Sequence, residues 1–111
     1  MAKYRNLETE GFFVVCLDGA QNVIETVRVS QGLLNKTIVH PREVYRLAIK
    51  LNCASIIVAH NHPSGNLAPS KEDREITDRL KQAGDVVGVQ LLDHVIISSN
   101  GFYSFLSEGC L

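Results

Sequence analysis

Residues 55–84 read SIIVAHNHPSGNLAPSKEDREITDRLKQAG. The opening SIIVA (55–59) is short, unbroken and apolar, the mark of a buried central strand. The next stretch, HNHPSGNLAP, concentrates proline, glycine and asparagine and predicts a loop. A helix then begins at Ser70. Ser70 and Asp73 form a Ser-x-x-Asp variant of the capping box, and Ile76, Leu80 and Ala83 recur on one helical face. Gly84 and Gly88 bracket its expected end. A buried strand, a loop and an amphipathic helix in that order point to an α/β protein.

Toward the N-terminus, FFVVCLD (12–18) is apolar and β-branched and is bounded by the turn-prone GAQN. VIETVRVS (23–30) follows, so the two runs predict a hairpin with its loop near Asp18 to Asn22. Residues 31–40, with Gly32 and Asn35, form a connection. Pro41 suits a first helical position, and Val44, Leu47, Ala48 and Leu51 repeat at helical spacing, predicting a helix over 41–52 that His40 helps begin. Toward the C-terminus, VQLLDHVIIS (89–98) reads as a strand, Asn100-Gly101 as a tight turn and FYSFL as the last strand. The order is β-β-α-β-α-β-β, a compact mixed β-sheet flanked by helices, and FYSFLSEGCL could add an edge strand to a neighbour.

The chain has 111 residues with no repeat or linker, which suits one domain over 1–111. Its formal net charge of −1 lacks the basic surplus of a domain that lives on phosphate contacts, so nucleic acid is not favoured as the main partner. Cys16, Cys53 and Cys110 show no Cys-x-x-Cys pair, which argues against a disulfide framework or a four-cysteine zinc site. Cys16 and Cys53 lie in apolar runs and are expected to be small buried hydrophobes. MAKYRNLETE lacks the apolar centre of a signal peptide, and no apolar run approaches the ~20 residues that span a bilayer. The default home is cytoplasmic, with no membrane partner.

His60 and His62 stand two apart at the end of the buried strand, a spacing that turns both rings to one face. A loop with one glycine and two prolines can fold back and bring Asp73, in the first turn of the next helix, to the same point. Two imidazole nitrogens and one carboxylate oxygen form a three-ligand set for one catalytic Zn2+, with the fourth position left to water. Zinc lowers the pKa of such water towards ~7 and polarises a carbonyl oxygen. Each member also has a plainer reading. Asp73 can complement the helix dipole, worth ~0.3–1 kcal/mol, and Ser70 can be an N-cap alone or a cap with a second role. His94, in LLDHVII, is readable as a fourth ligand or as a satisfied histidine within a strand. The second suits a hydrolase, which needs an open coordination place.

The string His60-Asn61-His62-Pro63-Ser64-Gly65, with Ser70 and Asp73 at H-x-H-x7-S-x2-D, resembles the JAMM (MPN-plus) metalloprotease motif. HPREVYRLAIKLNCASIIVAHNHPSG, SKEDREITDRLKQAG and VQLLDHVIIS closely resemble the bacterial RadC-type branch, and the likeness runs from about Glu10 to the C-terminus. The resemblance implies the cytidine-deaminase-like JAMM/MPN fold and hydrolysis of a peptide or isopeptide bond in a peptide or protein substrate. It also implies a glutamate placed eight residues before the aspartate of a strand-ending Leu-Asp, and counting back from Asp18 reaches Glu10. Glu8 is out of register, and Glu25 lies on the second hairpin strand. Glu10 is thereby the general base that takes a proton from the zinc-bound water and hands it to the leaving amine; read without the family, it is a solvated glutamate. Ser70 is implied as a hydrogen-bond donor to the oxyanion, a role worth ~2.7–4 kcal/mol in the barrier.

Deubiquitinating relatives carry inserted segments that grip ubiquitin. The short stretch before the first helix, and the lack of an insertion after Asp73, do not support ubiquitin as the partner. The consecutive His-Asn-His is unrelated to the dispersed triad of HNH nucleases, and the deaminase His-x-Glu with Pro-Cys-x-x-Cys is missing. A rival reading is a metal-binding interaction module of a DNA-repair-associated RadC-like protein without protease activity. Many RadC-type proteins carry an N-terminal helix-hairpin-helix region that these residues do not show, as expected of an excised domain or a short member. A degenerate, metal-free relative is a third reading, and the intact motif speaks against it. Oligomeric state is not legible here.

Overall fold

The computed structural model describes residues 11–31 and 39–111. Its elements are β1 (Gly11–Leu17), β2 (Val23–Gln31), α1 (Pro41–Lys50), β3 (Ser55–Asn61), α2 (Lys71–Val87), β4 (Gln90–Ser98) and β5 (Gly101–Ser104). The strands form one mixed sheet in the order β2-β1-β3-β4-β5. β1 pairs antiparallel with both β2 and β3, β3 parallel with β4, and β4 antiparallel with β5. The parallel pair follows from α2, which carries the chain back to the starting end of β3 before β4 begins. β1 is buried along its whole length, which explains why FFVVCL runs apolar without alternating.

Val44, Tyr45 and Ala48 of α1 and Leu80 of α2 pack onto Phe12, Val14, Cys16, Ile56, Val58 and Leu91 of the sheet. Both helices therefore cover the same sheet face. Each fully buried Val, Leu or Ile contributes roughly 1.5–3 kcal/mol to this core. Cys16 and Cys53 are buried within it, as their apolar surroundings indicated, and Cys110 is exposed. The Tyr45 hydroxyl donates to the Leu80 carbonyl at 2.6 Å and ties the helices together. Among the described residues no helix is long and apolar enough to cross a membrane.

Several boundaries differ from the sequence reading, each for a local reason. β3 continues past SIIVA to Asn61 because His60 still has Phe12 on one side and Ile96 on the other, so the loop starts later than the proline and glycine suggested. Ser98 pairs with Gly101, which makes Ser99-Asn100 the central turn residues instead of Asn100-Gly101. β5 stops at Ser104, since the following residues turn and the Glu108 N–H returns to the Ser104 carbonyl at 3.1 Å. α1 ends at Lys50, short of residue 52, where Asn52 adopts a φ of 52°. His40 occupies its N-cap position but begins the helix through its carbonyl, which accepts from Glu43 N at 2.9 Å; its side chain makes no cap.

β4 is also irregular. Its register against β3 slips between Ile56↔Leu91 and Ile57↔Asp93. Strict alternation from the core residue Leu91 would bring 93 and 95 to the helix-covered face. The extra residue instead puts His94 opposite Val58, on the face that carries the core.

Gly84 lies inside α2 rather than at its end; the helix closes at Gly88, whose φ of 80° is the left-handed cap that glycine favours. A Cβ at Gly84 would overlap the Val89 carbonyl oxygen and the Tyr45 hydroxyl. Gly84→Ala is therefore expected to destabilise the domain by roughly 1–3 kcal/mol through overpacking, although alanine is the better helix former by ~1 kcal/mol. Urea unfolding checks this, and a variant at least as stable as the parent refutes the close approach.

Candidate metal centre

The end of β3 and the start of α2 converge beside the helix-covered sheet face. His60 lies within the β3 ladder and is buried, with 2% of its surface exposed. His62 comes just after the strand, and its N–H donates to the Ile97 carbonyl at 2.8 Å. That bond prolongs the strand geometry by one residue and keeps both rings on one side. Gly65, at φ 84°, then turns the loop back. Its N–H donates to the His62 carbonyl at 3.1 Å, and its own carbonyl accepts from Ser98 Oγ at 3.2 Å and Asn100 Nδ2 at 3.0 Å.

α2 delivers the carboxylate. Ser70 is its N-cap: Ser70 Oγ accepts from Asp73 N at 3.0 Å, and Asp73 Oδ2 accepts from Ser70 N at 2.8 Å. This reciprocal pair is the capping box that the spacing predicted. It also orients the same carboxylate toward both imidazoles. Asp73 Oδ1 stands 3.2 Å from His60 Nε2, and Oδ2 stands 3.3 Å from His62 Nε2. The plain reading of Asp73 as a helix-start residue and the reading as a possible ligand are thus compatible. Ser70 is exposed, and its Oγ acts as acceptor in the box, which leaves the hydroxyl proton available for donation.

Polarity matches this geometry. His62 Nδ1 lies 2.7 Å from the Asn66 carbonyl oxygen, a group that only accepts. Nδ1 therefore carries the proton, and in the neutral ring Nε2 keeps its lone pair toward Asp73. Burial alone would raise the Asp73 pKa. In acid, where protonated imidazoles face it, the bond from His62 and the charge of His60 join the Ser70 bonds, outweigh burial and hold the carboxyl well below the usual carboxylate range. Burial pushes His60 down to about 4, with Asp73 opposing the shift, so its ring is neutral at pH 7. At neutral pH the set presents a neutral His60, a His62 whose Nδ1 proton is engaged by the loop, and an ionised carboxylate.

Such a set fits a divalent cation. The three candidate ligand atoms lie within 4.8 Å of one another. Atoms at the corners of a tetrahedron with bonds of ~2.0–2.1 Å stand about 3.3–3.4 Å apart. The 3.2 and 3.3 Å separations have that length but run to the two different oxygens of Asp73, so the fit rests on one ligand atom from each residue lying within 4.8 Å of the others. Mixed imidazole and carboxylate donors suit zinc among the common ions.

The remaining residues singled out in the sequence fall in different places. His94 stands behind His60, with its Nε2 3.2 Å from His60 Nδ1, and so lies away from the Nε2 side where Asp73 converges. It is a satisfied strand histidine and not a fourth member of the cluster. Glu10 lies outside the described residues. Asn61, passed over in the sequence reading, separates the two histidines in sequence; it is buried and accepts from Gly11 N at 2.7 Å. The sequence places it in the loop, where an asparagine is ordinary, and only the extension of β3 to Asn61 reveals its burial. Thr77, likewise passed over, is buried at four residues from Asp73 on the same helix.

Comparison with known proteins agrees with the architecture. The family described as the RadC-like JAB domain matches residues 1–110. A UPF0758 protein of Thermotoga maritima is 52% identical over 103 residues, covering 93% of this chain and 46% of that protein. A UPF0758 protein of Geobacter sulfurreducens is 47% identical over 108 residues, covering 97% of this chain and 47% of the relative. One from Staphylococcus epidermidis is 48% identical over 109 residues, covering 98% and 48%. The chain thus spans about half the length of the curated relatives it matches. With a five-stranded mixed sheet, helices on one face and the His-x-His and Ser-x-x-Asp elements meeting at its end, the chain belongs to the RadC-like JAB domain family.

Proposed function

We propose that this domain is a zinc-dependent hydrolase that cleaves a peptide or isopeptide bond. The observation that carries the proposal is the meeting of His60 Nε2, His62 Nε2 and the ionised Asp73 carboxylate at 3.2 and 3.3 Å. A zinc ion held by this set supplies Lewis acidity to a carbonyl oxygen and to water. The protein's own groups do the rest. Asp73 and the two histidines fix the site, with the capping box holding the carboxylate. Glu10 takes a proton from the attacking water and returns it to the leaving nitrogen. Gly11, its neighbour in the chain, is anchored by Asn61, the residue that separates His60 from His62 in sequence, which supports this role. Ser70 donates its hydroxyl proton to the oxygen that gains charge. After Asp73, α2 continues unbroken to Val87, so the helix carries no inserted segment with which to grip ubiquitin.

Metal analysis of protein purified without chelator tests the site. One equivalent of zinc is expected in the parent and a large loss in His62→Ala. Parent protein that never takes up zinc removes the proposal. Retained zinc with no cleavage of a peptide library, together with salt-dependent DNA affinity, would instead support a metal-stabilised module in DNA maintenance.

A further inference from the structure

We propose that His94 and Thr77 are positioning residues for the metal centre: a buried hydrogen-bond relay from His60 through His94 and Thr77 to the Asp73 carbonyl decides which nitrogen of His60 faces the ion. This rests on the metal reading of the site but not on hydrolysis.

The direction of the relay follows from its far end. Thr77 Oγ1 lies 2.7 Å from the Asp73 carbonyl oxygen and 2.5 Å from His94 Nδ1. The carbonyl can only accept, and a hydroxyl has one proton to give, so Thr77 donates to Asp73. His94 Nδ1 must then be the donor to Thr77 Oγ1. The His94 ring is fully buried, stacked on Phe105 at 4.6 Å and 4°, and edge-on to Phe12 at 5.9 Å and 64°. A second proton would put a positive charge between two aromatic rings, with no carboxylate touching it among the described residues, at a heavy desolvation cost.

A neutral His94 with its proton on Nδ1 has an accepting Nε2. That atom lies 3.2 Å from His60 Nδ1, which must therefore carry a proton. His60 Nε2 is left with its lone pair, on the side where Asp73 Oδ1 stands at 3.2 Å. His62 reaches the same tautomer by separate means, through the Asn66 carbonyl of the loop. One ligand is set by the loop and the other by the core.

Metal-binding histidines usually donate their second N–H to a carboxylate, a carbonyl or water. Here a neutral histidine takes that place and orients His60 without adding negative charge. The relay also ends on the residue that supplies the carboxylate, so the first turns of α2 carry both a candidate ligand and the terminal acceptor. The β4 bulge is what brings His94 to this face.

The test uses the full chain, stripped of metal, with Zn2+ as probe against a competing chelator. Thr77→Val keeps the side-chain shape and removes the hydroxyl; Thr77→Ser keeps the hydroxyl. Zinc affinity is expected to fall about 10–100-fold in Thr77→Val and to stay near the parent value in Thr77→Ser. Imidazole 15N NMR of the metal-free parent at neutral pH is expected to show His94 protonated at Nδ1 and bare at Nε2. Parental affinity in Thr77→Val, equal weakening in both variants, or a His94 proton on Nε2 overturns the relay. The NMR measurement needs no variant to fold. A parent that shows the expected tautomer but binds no zinc would overturn the metal reading and leave the relay a packing device, ending its proposed positioning role.

Discussion

Glu10→Gln is expected to reduce hydrolysis by roughly 10²–10⁴-fold, the span of one general acid–base group, while one equivalent of zinc stays bound. Glutamine keeps the size and hydrogen-bonding ability of the side chain but cannot accept a proton at neutral pH. The candidate ligands are His60, His62 and Asp73, so metal content should not change. Turnover of a peptide substrate and zinc content are measured on the same preparation. Undiminished turnover with full zinc removes Glu10 from the chemistry. Loss of zinc together with activity would instead assign Glu10 to holding the site. The glutamate was identified through family resemblance. What supports it physically is the neighbouring residue, Gly11, whose N–H is held by Asn61 while Phe12 pairs with His60.

Asp73 serves two purposes that substitution can separate. In Asp73→Asn an oxygen remains to accept from Ser70 N, so the helix cap is expected to survive, whereas the charge is lost. Zinc affinity should fall by more than the ~10–100-fold that loss of an outer partner costs. Unfolding free energy of the metal-free protein should change by less than the ~1 kcal/mol typical of a lost cap. Asp73→Ala loses both, so its metal-free form should also be less stable by about 1 kcal/mol. Chelator competition and denaturant unfolding give the two readings independently. Zinc binding at full strength in Asp73→Asn would exclude the carboxylate as a ligand and leave Asp73 as a capping residue only.

Much of this domain is local and was therefore open to reading along the chain. SIIVA is apolar without alternation because its strand lies inside the sheet, and the helix start at Ser70 is a matter of four consecutive residues. The pairing of His60 with His62 needs only the two-residue strand period, and the return of Asp73 needs only a loop that can reverse. Those short-range rules identified the three residues that meet.

Other features depend on partners far apart in sequence. Strand alternation from Leu91 assigns His94 to the wrong face, because a bulge forced by pairing with β3 displaces it by one residue. Gly84 looked like a helix end until Tyr45 and the Val89 carbonyl closed on it. Asn61 gains a purpose only when Gly11 arrives beside it, and Thr77 only when β4 brings a histidine against α2. A one-dimensional pattern records which residues share a face in an unbroken element. Where one element slips against another, and which buried polar atom must answer which, is settled by packing and by the cost of leaving a buried donor or acceptor unmatched.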